Sequence, residues 1–161
     1  MKKSVFILII LLLVHPVYTQ VLKEKTRQQA VYIELLGQSV AYSVKYDRNF
    51  FRGDGGLGMS IGLGYLPAVD ISNILSVPAS INYLIGKNGN YFEIGAGITY
   101  IGKVDPGSFS NGYWGALWIG FRHQPVSNGF LFRGGLMPFV VYNQVLTAPP
   151  LYPGISFGYA F

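Results

Sequence analysis

Large apolar residues alternate with glycine and other small residues in this chain, and this alternation restricts the folds open to it more than any other feature. The clearest run is GLGMSIGLGY at 56–65, where Leu, Met, Ile, Leu and Tyr fill every second position and Gly or Ser the positions between them. Successive side chains of a β-strand point to opposite faces of its sheet. The run therefore predicts a strand with one bulky apolar face and one nearly bare face.

Seven further segments show a period of two, so the sequence predicts eight strands. Most contain about ten residues, the length with which a tilted strand crosses a membrane. In chain order the segments are AVYIELLG, SVAYSVKYDR, GLGMSIGLGY, SVPASINYLIG, YFEIGAGITY, GYWGALWIGFR, GFLFRGGLMP and YPGISFGYAF. The predicted fold class is all-β, an eight-stranded antiparallel up-and-down barrel.

Turn residues predict the register of one hairpin and leave two others open. Asn88-Gly89, between the fourth and fifth segments, is typical of a two-residue hairpin turn. A Gly37-Gln38 turn would pair Leu35 with Val40 in the first hairpin, and PVSNG allows more than one register. Centring a hairpin on Asn88-Gly89 pairs apolar residues with one another, namely Ile85 with Phe92, Tyr83 with Ile94 and Ile81 with Ala96.

The composition excludes several classes of protein. Charged residues make up 12% of the 161 residues, about half the usual share, and 21 residues are glycine. That balance fits neither a water-facing globule nor a disordered chain. The chain has no cysteine, which excludes disulfides, thiolate metal sites and lipid attachment through a cysteine. We expect no metal, no cofactor and, since no basic patch is interleaved with aromatic residues, no nucleic-acid partner.

The N-terminal segment predicts export. Lys2 and Lys3 precede an unbroken apolar run at 5–14, which is too short to span a bilayer as a helix. With cleavage after Thr19, we interpret 1–19 as a signal peptide, 20–29 as a short polar lead-in and 30–161 as the barrel. An uncleaved anchor is the alternative.

Two kinds of eight-stranded barrel fit the alternation, and the less apolar face distinguishes them. A soluble lipocalin-like barrel exposes a charged face to water, whereas a membrane barrel turns its apolar face to lipid. Here the second face is mostly Gly, Ser, Ala and Asn, which suits a narrow lumen. The charges on that face predict a paired, near-neutral lumen network, the alternative being solvated surface charges. They are Glu34, Lys45, Asp47, Glu93, Arg122 and Arg133.

Loop lengths and aromatic residues predict the orientation of such a barrel. Long outer loops are expected at 66–75, 101–111 and 139–151, against short inner turns at 49–54, 87–89 and about 124–128. Aromatic residues would form a girdle near each end. The outer girdle is Tyr65, Tyr100, Tyr113, Tyr142 and Tyr152, and the inner one is Tyr46, Phe92, Phe121, Phe130 and Phe161.

The chain from 30 to 161 resembles the small eight-stranded outer-membrane barrels of Gram-negative bacteria. The most specific part is the last strand, because Ile155, Phe157, Tyr159 and Phe161 resemble the signal that the barrel-assembly machinery reads. The segments ELLGQSVAYSVKYDRNF and GFRHQPVSNGFLFRGGLMP resemble uncharacterised barrels of Bacteroidota-type bacteria. The resemblance implies an outer-membrane location, contact with lipid and with the assembly machinery, and no agreed activity.

One stretch raises the question of catalysis. HQPVSNG faintly resembles the His-x-Ser-Asn stretch of outer-membrane lipid A deacylases, which would make His123 a base and Ser127 a nucleophile. Two extra residues, one of them Pro125, separate the pair here, and Pro, Ser, Asn and Gly are all turn formers. We therefore interpret the stretch as an ordinary turn. The glycine-rich run from Gly53 lacks the Lys-Ser/Thr ending of a phosphate loop.

The function expected from the sequence is that of a non-enzymatic outer-membrane barrel with a structural or surface-interaction role. Its long outer loops would contact an extracellular ligand or protein. Three alternatives stay open: a lipid A-modifying enzyme, a narrow pore, and a soluble barrel that carries a small apolar ligand.

Deletion of Phe161 should impair assembly, because the last strand would lose its terminal recognition residue. The yield of protein in the membrane fraction and its heat-modifiable electrophoretic mobility measure the effect. A variant that matches the intact protein in both would contradict the assigned role of Phe161.

Overall fold

The computed structural model describes residues 29–39, 41–51, 54–66, 73–105, 108–138, 140–142, 145–147 and 152–161. The proposed signal peptide and most of the lead-in lie outside these ranges. The described strands are β1 (Gln29–Leu36), β2 (Tyr42–Asn49), β3 (Gly56–Leu66), β4 (Asn73–Lys87), β5 (Asn90–Asp105), β6 (Ser108–His123), β7 (Gly129–Met137), β8 (Val140–Tyr142), β9 (Val145–Thr147) and β10 (Tyr152–Ala160).

The sheet closes on itself. Each strand from β1 to β7 pairs antiparallel with the next, and β10 pairs with both β7 and β1. The short strands β8 and β9 extend this sheet, since β8 pairs with β6 and β9 with β8. The predicted all-β, eight-stranded antiparallel barrel is confirmed, and its eight strands are β1–β7 and β10.

The described residues contain no helix long and apolar enough to cross a membrane.

The predicted register of the β4–β5 hairpin is confirmed. Ile85 pairs with Phe92, Tyr83 with Ile94 and Ile81 with Ala96. Both turn residues have positive φ, 55° at Asn88 and 81° at Gly89. A two-residue type I′ turn requires this conformation at both central positions, and Asn and Gly adopt it most readily. The turn and the alternation thus specify one and the same register.

The predicted first hairpin was wrong. Leu35 pairs with Tyr42 rather than Val40, and a 3₁₀ turn at Gly37–Ser39 separates β1 from β2. Leu36 and Gly37 both adopt positive φ, and the Leu36 amide donates to the Ala41 carbonyl at 2.6 Å. The loop is longer than two residues because the 3₁₀ turn folds into the barrel, where its side chains are buried. We call Gly37–Ser39 the plug, its end of the barrel the plug end, and the opposite end the termini end.

The predicted loop at 101–111 was also wrong, because strands occupy most of it. β5 continues to Asp105 and β6 begins at Ser108, with paired residues from Ile101 and Gly112 out to the tip. Backbone hydrogen bonds between strands do not require apolar side chains, so the pairing continues past Lys103 to Asp105. The expected loop at 66–75 shortens to 67–72, which lies outside the described residues.

The rim of the plug end is uneven. β1 and β2 contain 8 residues each, whereas β4 contains 15 and β5 and β6 contain 16. The expected loop at 139–151 contains β8, which pairs with β6, and β9, which pairs with β8. We call the part of β4, β5 and β6 that projects past the β1–β2 hairpin the raised wall.

The two faces of the barrel differ as the alternation predicts. Along β3, the side chains of Leu57, Met59, Ile61, Leu63 and Tyr65 face outward and are 38–64% exposed. The small residues between them, Gly58, Ser60, Gly62 and Gly64, face the lumen and are buried. Bulky side chains therefore cover the exterior of the barrel.

Most aromatic residues of the two expected girdles lie on that exterior. The exposed members are Tyr46, Tyr65, Phe92, Tyr113, Phe121, Phe130 and Phe161. The Tyr100 ring lies 5.4 Å from that of Tyr113. Tyr152 was assigned wrongly, because its ring faces inward and packs edge-on against Trp114 at 6.0 Å. The Tyr142 side chain lies outside the described part of the structure.

Adjacent positions on β5 should respond oppositely to the same substitution. A Cβ on Gly97 would lie 2.8 Å from the Ala79 carbonyl oxygen and 2.8 Å from the Ser80 Cβ. We therefore expect Gly97→Leu to abolish formation of the compact, heat-modifiable band on electrophoresis. Ala96→Leu, on the outer face, is the matched control and should fold normally. Equal folding of both variants would contradict the assignment of the faces.

Candidate functional site

Six charged side chains converge inside the barrel. They come from β1 (Glu34), β2 (Lys45 and Asp47), β5 (Glu93), β6 (Arg122) and β7 (Arg133). Each is at most 2% exposed. Each occupies a position whose chain neighbours face outward, so the alternation itself directs it inward. The structure thus brings together all six residues proposed from the sequence.

A chain of ion pairs connects four of these charges. Lys45 Nζ lies 2.9 Å from Glu34 Oε1. The other oxygen of Glu34 accepts from Arg133 Nη1 at 2.7 Å. Arg133 Nε in turn donates to Glu93 Oε2 at 2.7 Å. Arg133 is therefore the cation that joins the β1 and β5 carboxylates across the lumen.

Asp47 and Arg122 form the second part of the network. The guanidinium donates two hydrogen bonds to the carboxylate, Nη2 to Oδ1 at 2.7 Å and Nη1 to Oδ2 at 3.1 Å. The Asn82 amide adds a third donor to Oδ2 at 2.9 Å. Such two-point pairing is the strongest arrangement of these two groups and fixes the orientation of both.

An aromatic ring supports the central cation. The Arg133 guanidinium carbon lies 4.0 Å from the centre of the Trp118 ring and 5.9 Å from that of Tyr32. A guanidinium over an indole face is attracted by the negative charge of the ring face. The indole packs against Gly120 and Gly135, where no side chain blocks it. A Cβ would lie 3.0 Å from Trp118 Cζ2 at Gly120 and 2.7 Å from it at Gly135.

The plug binds directly to the network. The backbone N–H of Gln38 donates to Glu34 Oε1 at 3.0 Å, and Lys45 Nζ donates to the side-chain oxygen Oε1 of Gln38 at 2.7 Å. From the opposite wall, the Thr99 hydroxyl donates to the Gln38 carbonyl at 2.9 Å. Gly154 lies flat against the plug, since a Cβ there would lie 3.0 Å from the Gly37 Cα. The network and the plug together reach across the lumen from wall to wall.

Charge balance makes this buried cluster tolerable. Three carboxylates face three cations, and the described ion pairs involve every one of the six. Removing one partner would leave a buried charge uncompensated, which is far more costly than the loss of a surface pair. The arrangement is therefore suited to holding strands in one register and offers no unpaired charge for a ligand.

The sequence interpretation missed the uncharged members of the site. Gln38 was missed because the first hairpin was placed wrongly. Trp118 and Tyr32 lie an even number of positions from Arg122 and Glu34 on their strands, so the alternation could have identified them as inward-facing. The lumen predicted from the sequence contains mostly small residues and the six charges, and therefore omits these two rings. Asn82 lies between the outward residues Ile81 and Tyr83, so the alternation gives its face but not its hydrogen bond to Asp47.

The residues weighed for catalysis lie at the termini end. His123 Nδ1 forms a hydrogen bond with Asn90 Oδ1 at 2.9 Å, while Ser127 and Asn128 are exposed in the turn between β6 and β7. The Gln124 amide donates to the Gly89 carbonyl at 2.8 Å, which joins this turn to the β4–β5 turn. The side chain that shares this hydrogen bond with His123 is therefore that of Asn90. Within the described ranges, no three His, Cys, Asp or Glu residues are grouped to hold a metal ion.

The four residues of the proposed assembly signal line the outer face of β10. Phe157, Tyr159 and Phe161 are 41–51% exposed, and Ile155 is half-buried. The Phe157 ring packs against Phe132 at 5.5 Å and Phe130 at 6.2 Å. The Phe161 amide also donates to the Gln29 carbonyl at 3.0 Å, so the terminal residue joins the seam where β10 meets β1.

Comparisons with models of protein families, with curated proteins and with solved structures find no match to this chain.

The Asp47–Arg122 pair should be strongly coupled. We expect Arg122→Met to lower the free energy of unfolding by about 3–5 kcal/mol, because it leaves Asp47 buried without its cation. Adding Asp47→Asn should restore part of that loss. Arg48→Met, one residue along β2 but outward-facing, is the control and should change stability by less than about 0.5 kcal/mol. Urea unfolding in detergent micelles measures the intact protein, Arg122→Met, Asp47→Asn, the double variant and the Arg48→Met control, and additive losses would refute the coupling.

Proposed function

We propose that this protein is a non-enzymatic outer-membrane β-barrel that spans the bilayer and acts as a structural or surface-interaction protein. The observation that carries the proposal is the distribution of charge. The structure describes the side chains of ten charged residues, of which six lie in the lumen and four, Arg48, Asp54, Lys87 and Lys103, lie near strand ends. The side chain of Asp105 lies outside the described part of the structure. The middle of the described exterior is therefore free of charge, which suits hydrocarbon and is a poor surface for water.

The height of the apolar exterior agrees with a bilayer. The outward residues of β3 extend from Leu57 to Tyr65. At a rise of about 3.3 Å per residue and a tilt of about 40°, they cover roughly 20 Å along the barrel axis. The apolar band of outer-membrane barrels is about 25 Å tall. Aromatic residues near both ends of the band match the girdles found at membrane interfaces.

Closure of the sheet supports the same location. An unpaired strand edge in hydrocarbon leaves amide groups without hydrogen bonds, each at a cost of several kcal/mol. Pairing of β10 with β1 closes the eight strands of the barrel and leaves no such edge between the first and the last of them. Export by a signal peptide at 1–19 and recognition by the barrel-assembly machinery are parts of the proposal that depend on the sequence alone.

The filled lumen favours a structural role over a pore. Eight-stranded barrels leave room only for side chains, and here the ion-pair network and the plug occupy that room. The plug end offers the surface for interaction. The raised wall and the segments around 66–75 and 139–151 would contact an extracellular ligand or protein, since projecting segments on a rigid scaffold commonly carry binding.

Lysine substitutions at two depths test the membrane location. In lipid, Ile61→Lys at the centre of the β3 column should lower the free energy of unfolding by about 2–4 kcal/mol, and Leu57→Lys near its end by about 0–1 kcal/mol. The measurement is urea unfolding of each variant in phosphatidylcholine vesicles.

Recovery of the protein from the aqueous fraction without detergent would contradict the proposal and favour a soluble barrel, as would an equal, small effect of the two lysines. Ion conductance in planar bilayers would favour a pore. Loss of acyl chains from lipid A incubated with the purified protein, but not with His123→Ala, would favour the enzyme.

A further inference from the structure

Three polar atoms at the centre of the lumen network make no hydrogen bond within the described part of the chain. They are the Tyr32 hydroxyl, Glu93 Oε1 and Arg122 Nε, and all three are fully buried. Buried polar groups of native proteins are nearly always bonded, either to protein or to ordered water. An ionised carboxylate oxygen without a donor is among the most costly exceptions.

A gap separates the two charged groups, Arg122 and Glu93. Arg122 Nη1 is 4.0 Å from Glu93 Oε1, which is too far for a direct hydrogen bond. The Tyr32 ring lies 5.9 Å from the Arg133 guanidinium, which in turn binds Glu93. All three residues therefore belong to the part of the lumen network that surrounds Glu93.

Existing bonds hold the gap open. The Arg122 guanidinium is fixed by two hydrogen bonds to Asp47, at 2.7 and 3.1 Å. The Glu93 carboxylate is fixed by its other oxygen, which accepts from Arg133 at 2.7 Å. Neither group can approach the other without lengthening a short charged bond.

We infer that an enclosed water molecule bridges Arg122 and Glu93 beside the Tyr32 hydroxyl. Water can donate to the Glu93 oxygen and accept from the guanidinium at once, and such bridges are nearly as favourable as direct hydrogen bonds. The bridge would join the Lys45–Glu34–Arg133–Glu93 chain to the Arg122–Asp47 pair in one continuous network. The inference concerns the lumen and is independent of whether lipid or water surrounds the barrel.

Nuclear magnetic resonance of the folded protein in detergent micelles tests the bridge directly. With ¹⁵N-arginine labelling, the Arg122 Nε proton should show cross-relaxation with water of the sign that marks a molecule bound for longer than nanoseconds. The Arg133 Nε proton, which lies in the hydrogen bond to Glu93, is the internal reference and should show weaker cross-relaxation with water. Absence of a bound-water signal at Arg122 would overturn the inference.

A hydroxyl deletion provides the second test. Tyr32→Phe should lower the midpoint of thermal unfolding by roughly 2–4 °C, because the bridging water would lose a partner. Tyr83→Phe, which removes a hydroxyl from the exterior, is the control and should leave the midpoint unchanged. An unchanged or higher midpoint for Tyr32→Phe would mean that the hydroxyl has no partner to lose, and would overturn the bridge as stated.

Discussion

The structure depends on the mutual neutralisation of six charges inside a narrow sheet. Residues from β1, β2, β5, β6 and β7 reach across the lumen, and Arg133 alone joins carboxylates from β1 and β5. Such a cluster is stable only when the strands close in one register, because any shift would leave a buried charge without its partner. The same enclosure leaves the described part of the outer face free of charge except near the strand ends. The interior electrostatics and the apolar exterior are therefore two consequences of one alternation.

The glycines of the lumen make this interior possible. Gly120 and Gly135 receive the Trp118 indole, Gly62 lies against the Lys45 side chain, and Gly154 faces the plug. In each case a group from elsewhere in the barrel occupies the space that a side chain would take. The high glycine content therefore reflects packing as well as curvature: a few large side chains fill a lumen whose walls are mostly bare.

The sequence predicted those parts of the fold that depend on local pattern. The period of two assigned Glu34 and Arg133 to the lumen, and Asn88-Gly89 specified the β4–β5 register. It failed where long-range contacts decide. The first hairpin lengthens because Gln38 binds Glu34, Lys45 and Thr99, and Thr99 lies 61 positions away in the chain. The tips of β5 and β6 stay paired through backbone bonds that composition does not reveal. Which acid pairs with which base also depends on the closed barrel.

Spin labels on the β3 column would measure the solvent of the outer face most directly. The chain has no cysteine, so single cysteines at Leu57, Met59, Ile61, Leu63 and Tyr65 can be labelled without further changes. In phosphatidylcholine vesicles, accessibility to oxygen should be highest at Ile61, and accessibility to a water-soluble nickel chelate should be highest at Leu57 and Tyr65. High nickel accessibility at all five positions, with no maximum for oxygen at the centre, would contradict a membrane-spanning barrel.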